Sequence, residues 1–139
     1  MILDSSVLIA AERKRFDLVS FLSAHADETI FITAITASEL LHGCARAEDS
    51  AIRERRTQFV EGLLQDYLVL PLTLTEARTH AQLWAALERK GTPIGERDLF
   101  IAAIAKTNGH AVATLNGDEF ARVPGLILEE VEPFVGKSA

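Results

Sequence analysis

Apolar positions fall into two alternating patterns along the chain. Short unbroken apolar runs occupy residues 1–3, 30–33, 68–72, 111–114 and 126–129. None alternates apolar with polar, so each suits a strand covered on both faces, as in a parallel sheet. Between the runs the apolar spacing lengthens to the helical period. It predicts short helices over 5–12 and 16–23, one over 38–46 after the second strand, and others over 50–67, 76–90 and 97–107. Within 50–67, the residues Ile52, Phe59, Val60, Leu63, Leu64 and Tyr67 are expected on one face, and within 76–90, Ala77, Ala81, Trp84 and Leu87. Gly91 and Asn108-Gly109 supply helix stops. Strands alternating with helices indicate a doubly wound α/β fold with right-handed crossovers. The sequence contains no repeat, low-complexity tract or linker, so one domain is expected over 1–135, with a frayed tail at 136–139.

Composition narrows the class. At 48% hydrophobic and 24% charged, the 139 residues describe a packed domain and not a disordered one. The single cysteine, Cys44, excludes an intrachain disulfide. His25, His42, His80 and His110 are scattered without zinc-type spacing and read as ordinary imidazoles. The opening Met1-Ile2-Leu3-Asp4 lacks the marks of a secretory leader, and no apolar run is long enough to span a bilayer. A cytoplasmic location is expected. The net charge of -6 opposes a generic nucleic-acid binder. A metal-binding carboxylate cluster is itself acidic, however, and a local basic patch can sit inside an acidic total.

In open α/β sheets, sites form beyond the carboxyl ends of the strands. Asp4 directly follows the first apolar run. Glu39 is expected in the first turn of the helix after the second, and Asp98 in the first turn of the helix leading to the fourth. Asn116, Asp118 and Glu119 follow that fourth run. All can share one edge if strands one, two and four are neighbours. Converging carboxylates cannot all stay ionised without a counter-charge. Hard oxygen ligands suit Mg²⁺, or Mn²⁺, which can activate water for displacement at phosphorus. Each acid also has a structural reading. Glu39 fits a capping box with Thr36, as Glu76 does with Thr73; Asp4 could cap the first helix, and Asp98 could favour a helix dipole.

Four stretches together resemble one family. Met1-Ile2-Leu3-Asp4-Ser5-Ser6-Val7-Leu8-Ile9 resembles the opening motif of PIN-domain nucleases, especially VapC-type toxins. Thr36-Ala37-Ser38-Glu39-Leu40-Leu41-His42-Gly43 resembles the second motif, and Pro93-Ile94-Gly95-Glu96-Arg97-Asp98-Leu99-Phe100 the third. Ala113-Thr114-Leu115-Asn116-Gly117-Asp118-Glu119-Phe120 resembles the fourth. The resemblance implies a PIN-like three-layer α/β/α fold with a mostly parallel five-stranded sheet in the order 3-2-1-4-5. That order makes strands two, one and four neighbours. It further implies that Asp4, Glu39 and Asp98 are the catalytic, metal-binding acids, with Ser6 supporting them. Asn116 stands where many relatives carry aspartate, so it is expected to line the site, with Asp118 or Glu119 supplying the fourth charge.

The implied activity is Mg²⁺-dependent hydrolysis of RNA phosphodiesters by the toxin of a toxin–antitoxin pair. A homodimer and a cognate antitoxin presenting an arginine to the acids are implied partners. Arg97, Arg13 and Arg15 are candidate contacts to RNA phosphates, joined by Lys14 and Arg46, while Arg53, Arg55 and Arg56 read as a solvated helix face. A PIN fold that only binds RNA is one alternative. An aspartyl-nucleophile phosphatase is disfavoured, because Ser6 stands where its second aspartate is required. A receiver domain lacks its aspartate, since Thr73 and Thr75 follow the third run. Dinucleotide binding lacks a glycine-rich phosphate loop.

Overall fold

The computed structural model describes residues 1–136. Strand β1 (Ile2–Leu3) leads into helix α1 (Ser5–Glu12), followed by α2 (Leu18–Ala24) and β2 (Phe31–Thr33). Next come α3 (Ala34–Ala45), α4 (Ser50–Asp66), β3 (Leu68–Leu70), α5 (Leu74–Lys90) and α6 (Glu96–Asn108). Strand β4 (Val112–Ala113), the short helix α7 (Gly117–Phe120) and a 3₁₀ turn over Glu132–Phe134 complete the chain. The strands are parallel and lie in the order β3-β2-β1-β4. The expected fifth strand shrinks to a single parallel bridge, Val112 with Leu128, on the free side of β4. It occupies the expected position, where Leu126 and Leu128 pack against the core while Ile127 between them faces solvent.

The central strands divide their side chains between two cores. Met1, Leu3, Ile32 and Ala113 face a core closed by Val7, Leu8, Phe21, Leu40, Val60 and Leu63. Ile2 and Val112 face the other, closed by Leu83, Leu87, Leu99, Ile101, Ile104 and Phe120. Cover on both faces accounts for the unbroken runs at β1 and β4, but the expectation fails at β3, a sheet-edge strand that leaves Leu68 and Val69 exposed. Each fully buried large side chain contributes about 1.5–3 kcal/mol relative to exposure.

Local sequence sets the helix ends. The Glu76 carboxylate of α5 accepts from the Thr73 amide at 3.0 Å, completing the expected capping box. Gly91 and Gly109 end α5 and α6 with φ of 68° and 70°, a left-handed geometry that glycine adopts without strain. The expected start of α3 at 38 is corrected to Ala34. Thr33 caps it, its hydroxyl accepting from the Thr36 amide at 3.1 Å. Glu39 therefore stands in the second turn, and Thr36 is buried helix interior rather than a cap. Two expected faces also shift. Leu83 is buried in α5 whereas Trp84 is 55% exposed, and Ile52 of α4 is exposed. The remaining stripes, Val60 with Leu63 and Leu83 with Leu87, still meet the core.

Gly136 is not frayed: its amide donates to Arg15 O at 2.7 Å, beside an antiparallel bridge between Phe16 and Val135. Phe134 meets Phe21 edge-on at 5.2 Å, and Phe16 lies 5.6 Å from Phe21. The rest of the expected tail, residues 137–139, lies outside the described residues.

Candidate active site

The parallel order puts the ends of β2, β1 and β4 side by side, and the acids stand on segments at that same edge. Asp4 is 2% exposed and occupies the N-cap position of α1, yet its carboxylate makes no cap hydrogen bond. Instead Oδ2 accepts from the Ser6 and Thr114 hydroxyls, each at 2.8 Å. Those hydroxyls are held in turn by backbone donors: the Leu115 amide reaches Ser6 Oγ at 3.0 Å, and the Asn116 amide reaches Thr114 Oγ1 at 2.9 Å. The other oxygen, Asp4 Oδ1, is buried without a hydrogen-bond partner.

Glu39 on α3 and Asp98 in the first turn of α6 complete the group. Ser5 Oγ donates to Glu39 Oε1 at 3.4 Å. Burial pushes the Glu39 carboxyl above its ordinary pKa, and the charges of Asp4 and Asp98 add to this, while Arg97 pulls it down. Burial also raises Asp98, again with Asp4 adding and with Glu119 contributing, while the hydrogen bond from Asn116 opposes. The charge of Asp4 thus acts on both Glu39 and Asp98, a repulsion that a cation at this edge would offset.

Asn116 contributes as a donor. Its Nδ2 donates to Asp98 Oδ2 and to Glu119 Oε2, both at 2.8 Å. Two carboxylate acceptors fix which end of the amide faces them. Glu119 also accepts from the Gly95 amide at the N-cap of α6, and these bonds hold its pKa low. The fourth acid at this edge is thus Glu119. Asp118, expected as a lining residue, is exposed and takes part in none of these hydrogen bonds.

A groove of about 1040 Å³ runs from Glu39 and Asp98 past Arg97, Arg13, Arg46 and Arg56. The acidic chain therefore places an arginine-bearing wall beside these acids, with Glu12 and Glu96 also in the lining. Arg56 is corrected from a solvated face to this wall, where it pairs with Glu12 at 3.3 Å and donates to Gly43 O at 3.2 Å. Arg15 and Lys14 are exposed and are not among the groove-lining residues.

The donor set suits a hard cation. It offers carboxylate oxygens, one of them a buried orphan that costs free energy unless something positive meets it. Among the described residues, the group of three ligand atoms within 4.8 Å of one another lies elsewhere, at His25, Glu28 and Glu129. The acids of this site stand more openly, as suits Mg²⁺, which keeps several of its waters.

Sequence reasoning missed Thr114. The available signal was a lone hydroxyl ending the apolar run 111–114, since a polar side chain finishing a buried strand needs a partner. Glu119 was legible only as one of two neighbouring acids.

The profile of the PIN domain matches residues 1–126. The chain is 32% identical over 126 residues to "Ribonuclease VapC1" of Rickettsia felis, covering 91% of this chain and 92% of that protein. It is 40% identical over 99 residues to the "tRNA(fMet)-specific endonuclease VapC" of Salmonella typhimurium, covering 71% and 73%. The fold is similar to a chain in the crystal structure of DNA-bound VapBC from Salmonella typhimurium, with TM-score 0.82, 32% identity and coverage of 92% and 95%. With its acids at the carboxyl edge of a β3-β2-β1-β4 sheet and near-complete alignment to these proteins, the chain belongs to the PIN-domain family, among the VapC ribonucleases.

Proposed function

We propose that this chain is a Mg²⁺-dependent endoribonuclease acting as the toxin of a VapBC-type pair, with Asp4, Glu39 and Asp98 holding the ion. The observation that carries the reading is the buried, unpartnered Oδ1 of Asp4 at an edge where burial and neighbouring charge raise the Glu39 and Asp98 carboxyls. Mn²⁺ satisfies the same oxygen set. When bound, the ion supplies a water of lowered pKa and neutralises charge on the scissile phosphate.

The protein's own residues position. Ser6 and Thr114 fix the Asp4 carboxylate by its Oδ2, leaving Oδ1 for the cation. Asn116 ties Asp98 to Glu119 without adding charge, which limits the number of cations the site can attract. Arg97, Arg13 and Arg46 offer the groove wall to RNA phosphates. The names of the relatives support RNA as substrate and an antitoxin as partner. An antitoxin arginine entering the groove would match the unpaired carboxylates. Leu68, Val69 and Leu41, all exposed, give a homodimer apolar surface to bury. Sedimentation of the chain alone and with its antitoxin checks both assemblies.

The direct test is cleavage of RNA with and without Mg²⁺. Asp4→Asn and Asp98→Asn should each lower the rate by on the order of a thousandfold, as expected for losing several kcal/mol of metal-derived stabilisation. Growth arrest on expression should disappear with them. Arrest that survives Asp98→Asn would overturn the reading.

A further inference from the structure

His25 follows α2, Glu28 precedes β2, and Glu129 follows the segment bridged to β4. His25 and Glu28 thus sit toward the amino-terminal end of β2, whereas the acids gather beyond the carboxyl ends of the strands. We infer that His25, Glu28 and Glu129 form a second cation site, structural in role, that takes a borderline transition-metal ion such as Zn²⁺. Scattered spacing hid it, because Glu129 is brought in by tertiary structure.

Geometry makes the argument. His25 Nε2 lies 3.8 Å from Glu28 Oε2 and 3.5 Å from Glu129 Oε2. Both separations exceed the hydrogen-bonding range of about 2.7–3.2 Å. They lie near the edge of a tetrahedron whose metal–ligand bonds are about 2.0–2.1 Å, an edge of roughly 3.4 Å. All three ligand atoms fall within 4.8 Å of one another.

The imidazole is also oriented for the role. His25 Nδ1 lies 2.8 Å from Phe21 O, a carbonyl that can only accept, so Nδ1 carries the proton. In the neutral ring that leaves a lone pair on Nε2, facing two carboxylates. Three electron-rich atoms then point at one space that a cation would satisfy. An Nδ1–H bonded to a backbone carbonyl is how metal-bound imidazoles are commonly fixed. The ring packs on Phe21 with centroids 4.4 Å apart, so the ligand is held before any ion arrives.

Mixed nitrogen and oxygen donors separate this site from the oxygen-only groove. Mg²⁺ suits the groove, and Zn²⁺ accepts imidazole with carboxylate. The His25, Glu28 and Glu129 side chains are 18%, 42% and 25% exposed, which leaves a fourth position open to water. An ion here would tie the segment carrying Val131 and Phe134 to the approach to β2.

The test uses tag-free protein, calorimetric titration with Zn²⁺, and melting with and without it. One Zn²⁺ should bind per chain and raise Tm. Both effects should persist in Asp98→Asn. Glu28→Gln and Glu129→Gln should weaken Zn²⁺ by at least the roughly 10–100-fold that outer-shell losses alone cost. These two variants replace partly exposed groups, and their metal-free melting curves verify folding. His25→Gln, which disturbs the Phe21 contact, is the confirming third. Unchanged Zn²⁺ affinity in Glu28→Gln and Glu129→Gln overturns the inference. So does failure of the wild type to bind Zn²⁺, or loss of Zn²⁺ only in Asp98→Asn.

Discussion

The carboxyl edge of the sheet and the aromatic cluster behind α2 are both assembled from distant parts of the chain, yet they answer opposite demands. In the cluster, Phe16, Phe21 and Phe134 pack ring against ring, and the backbone beside them is paired, Asp17 N to Phe134 O at 2.9 Å. At the edge, Asp4 is just as deeply buried but leaves one oxygen unpaired, while Glu39 and Asp98 are held above their ordinary pKa by burial and by nearby acids. One region lowers the free energy of the fold on its own. The other raises it, a cost that a bound cation would offset. Functional sites are where the local rules of folding are expected to be broken.

Four substitutions or conditions would break or sharpen that contrast. The largest effect should come from Phe134→Ala, which removes a partly buried ring from the cluster. It should cost about 2–3 kcal/mol by denaturant unfolding and leave the activity of the folded fraction intact. A loss of cleavage without a loss of stability would erase the distinction. Asp98→Asn should do the reverse. The new amide oxygen can still accept from Asn116, while a repelled charge is gone. Without metal, this variant should melt no lower than wild type, and it should lose the rise in Tm that Mg²⁺ gives.

The third is a pH dependence. Folded-state pKa values of Glu39 and Asp98 lie above their unfolded ones. The metal-free fold therefore keeps protons that the unfolded chain has released. Their contribution to stability is lost as pH rises from the ordinary carboxyl range, near about pH 4, through the raised values. Mg²⁺ favours the ionised forms and offsets that loss. The Mg²⁺-induced rise in Tm should thus grow with pH across this window; a rise independent of pH would count against shared charge at the edge. The smallest effect should be on RNA affinity. Arg97→Ala should weaken binding several-fold more than Arg56→Ala, because Arg56 is already engaged by Glu12 and Gly43 while Arg97 is exposed. Equal losses in a filter-binding titration would displace RNA from this part of the groove.

Periodicity made most of the architecture legible, and it failed where two signals overlap. Residues 32–36 read Ile-Thr-Ala-Ile-Thr, β-branched enough to extend a strand. Thr33 instead turns its hydroxyl onto the Thr36 amide and starts a helix, a local competition that pattern alone cannot decide. Trp84 drew the expected face of α5 one position aside, because a large apolar residue dominates any count of the stripe. The fifth strand was placed correctly, with Leu126 and Leu128 packed on the core, but it pairs with β4 through one bridge alone among the described residues. At the site, Asp4, Glu39 and Asp98 were legible from their motifs. Thr114 and Glu119 depend on hydrogen bonds across β1, α6 and α7, which only coordinates reveal.

The bond from Thr114 to Asp4 joins residues 110 positions apart. During translation Asp4 emerges before Glu39, and Glu39 before Asp98. The hydroxyl that holds Asp4, the amide that ties Asp98 and the Glu119 carboxylate all come from residues made after those three acids. A polypeptide released before Thr114 would carry the three acids without the parts that set them. Termination before Thr114 should therefore yield fragments without cleavage activity, and the acidic edge comes into being only after residues 114–119 have been made.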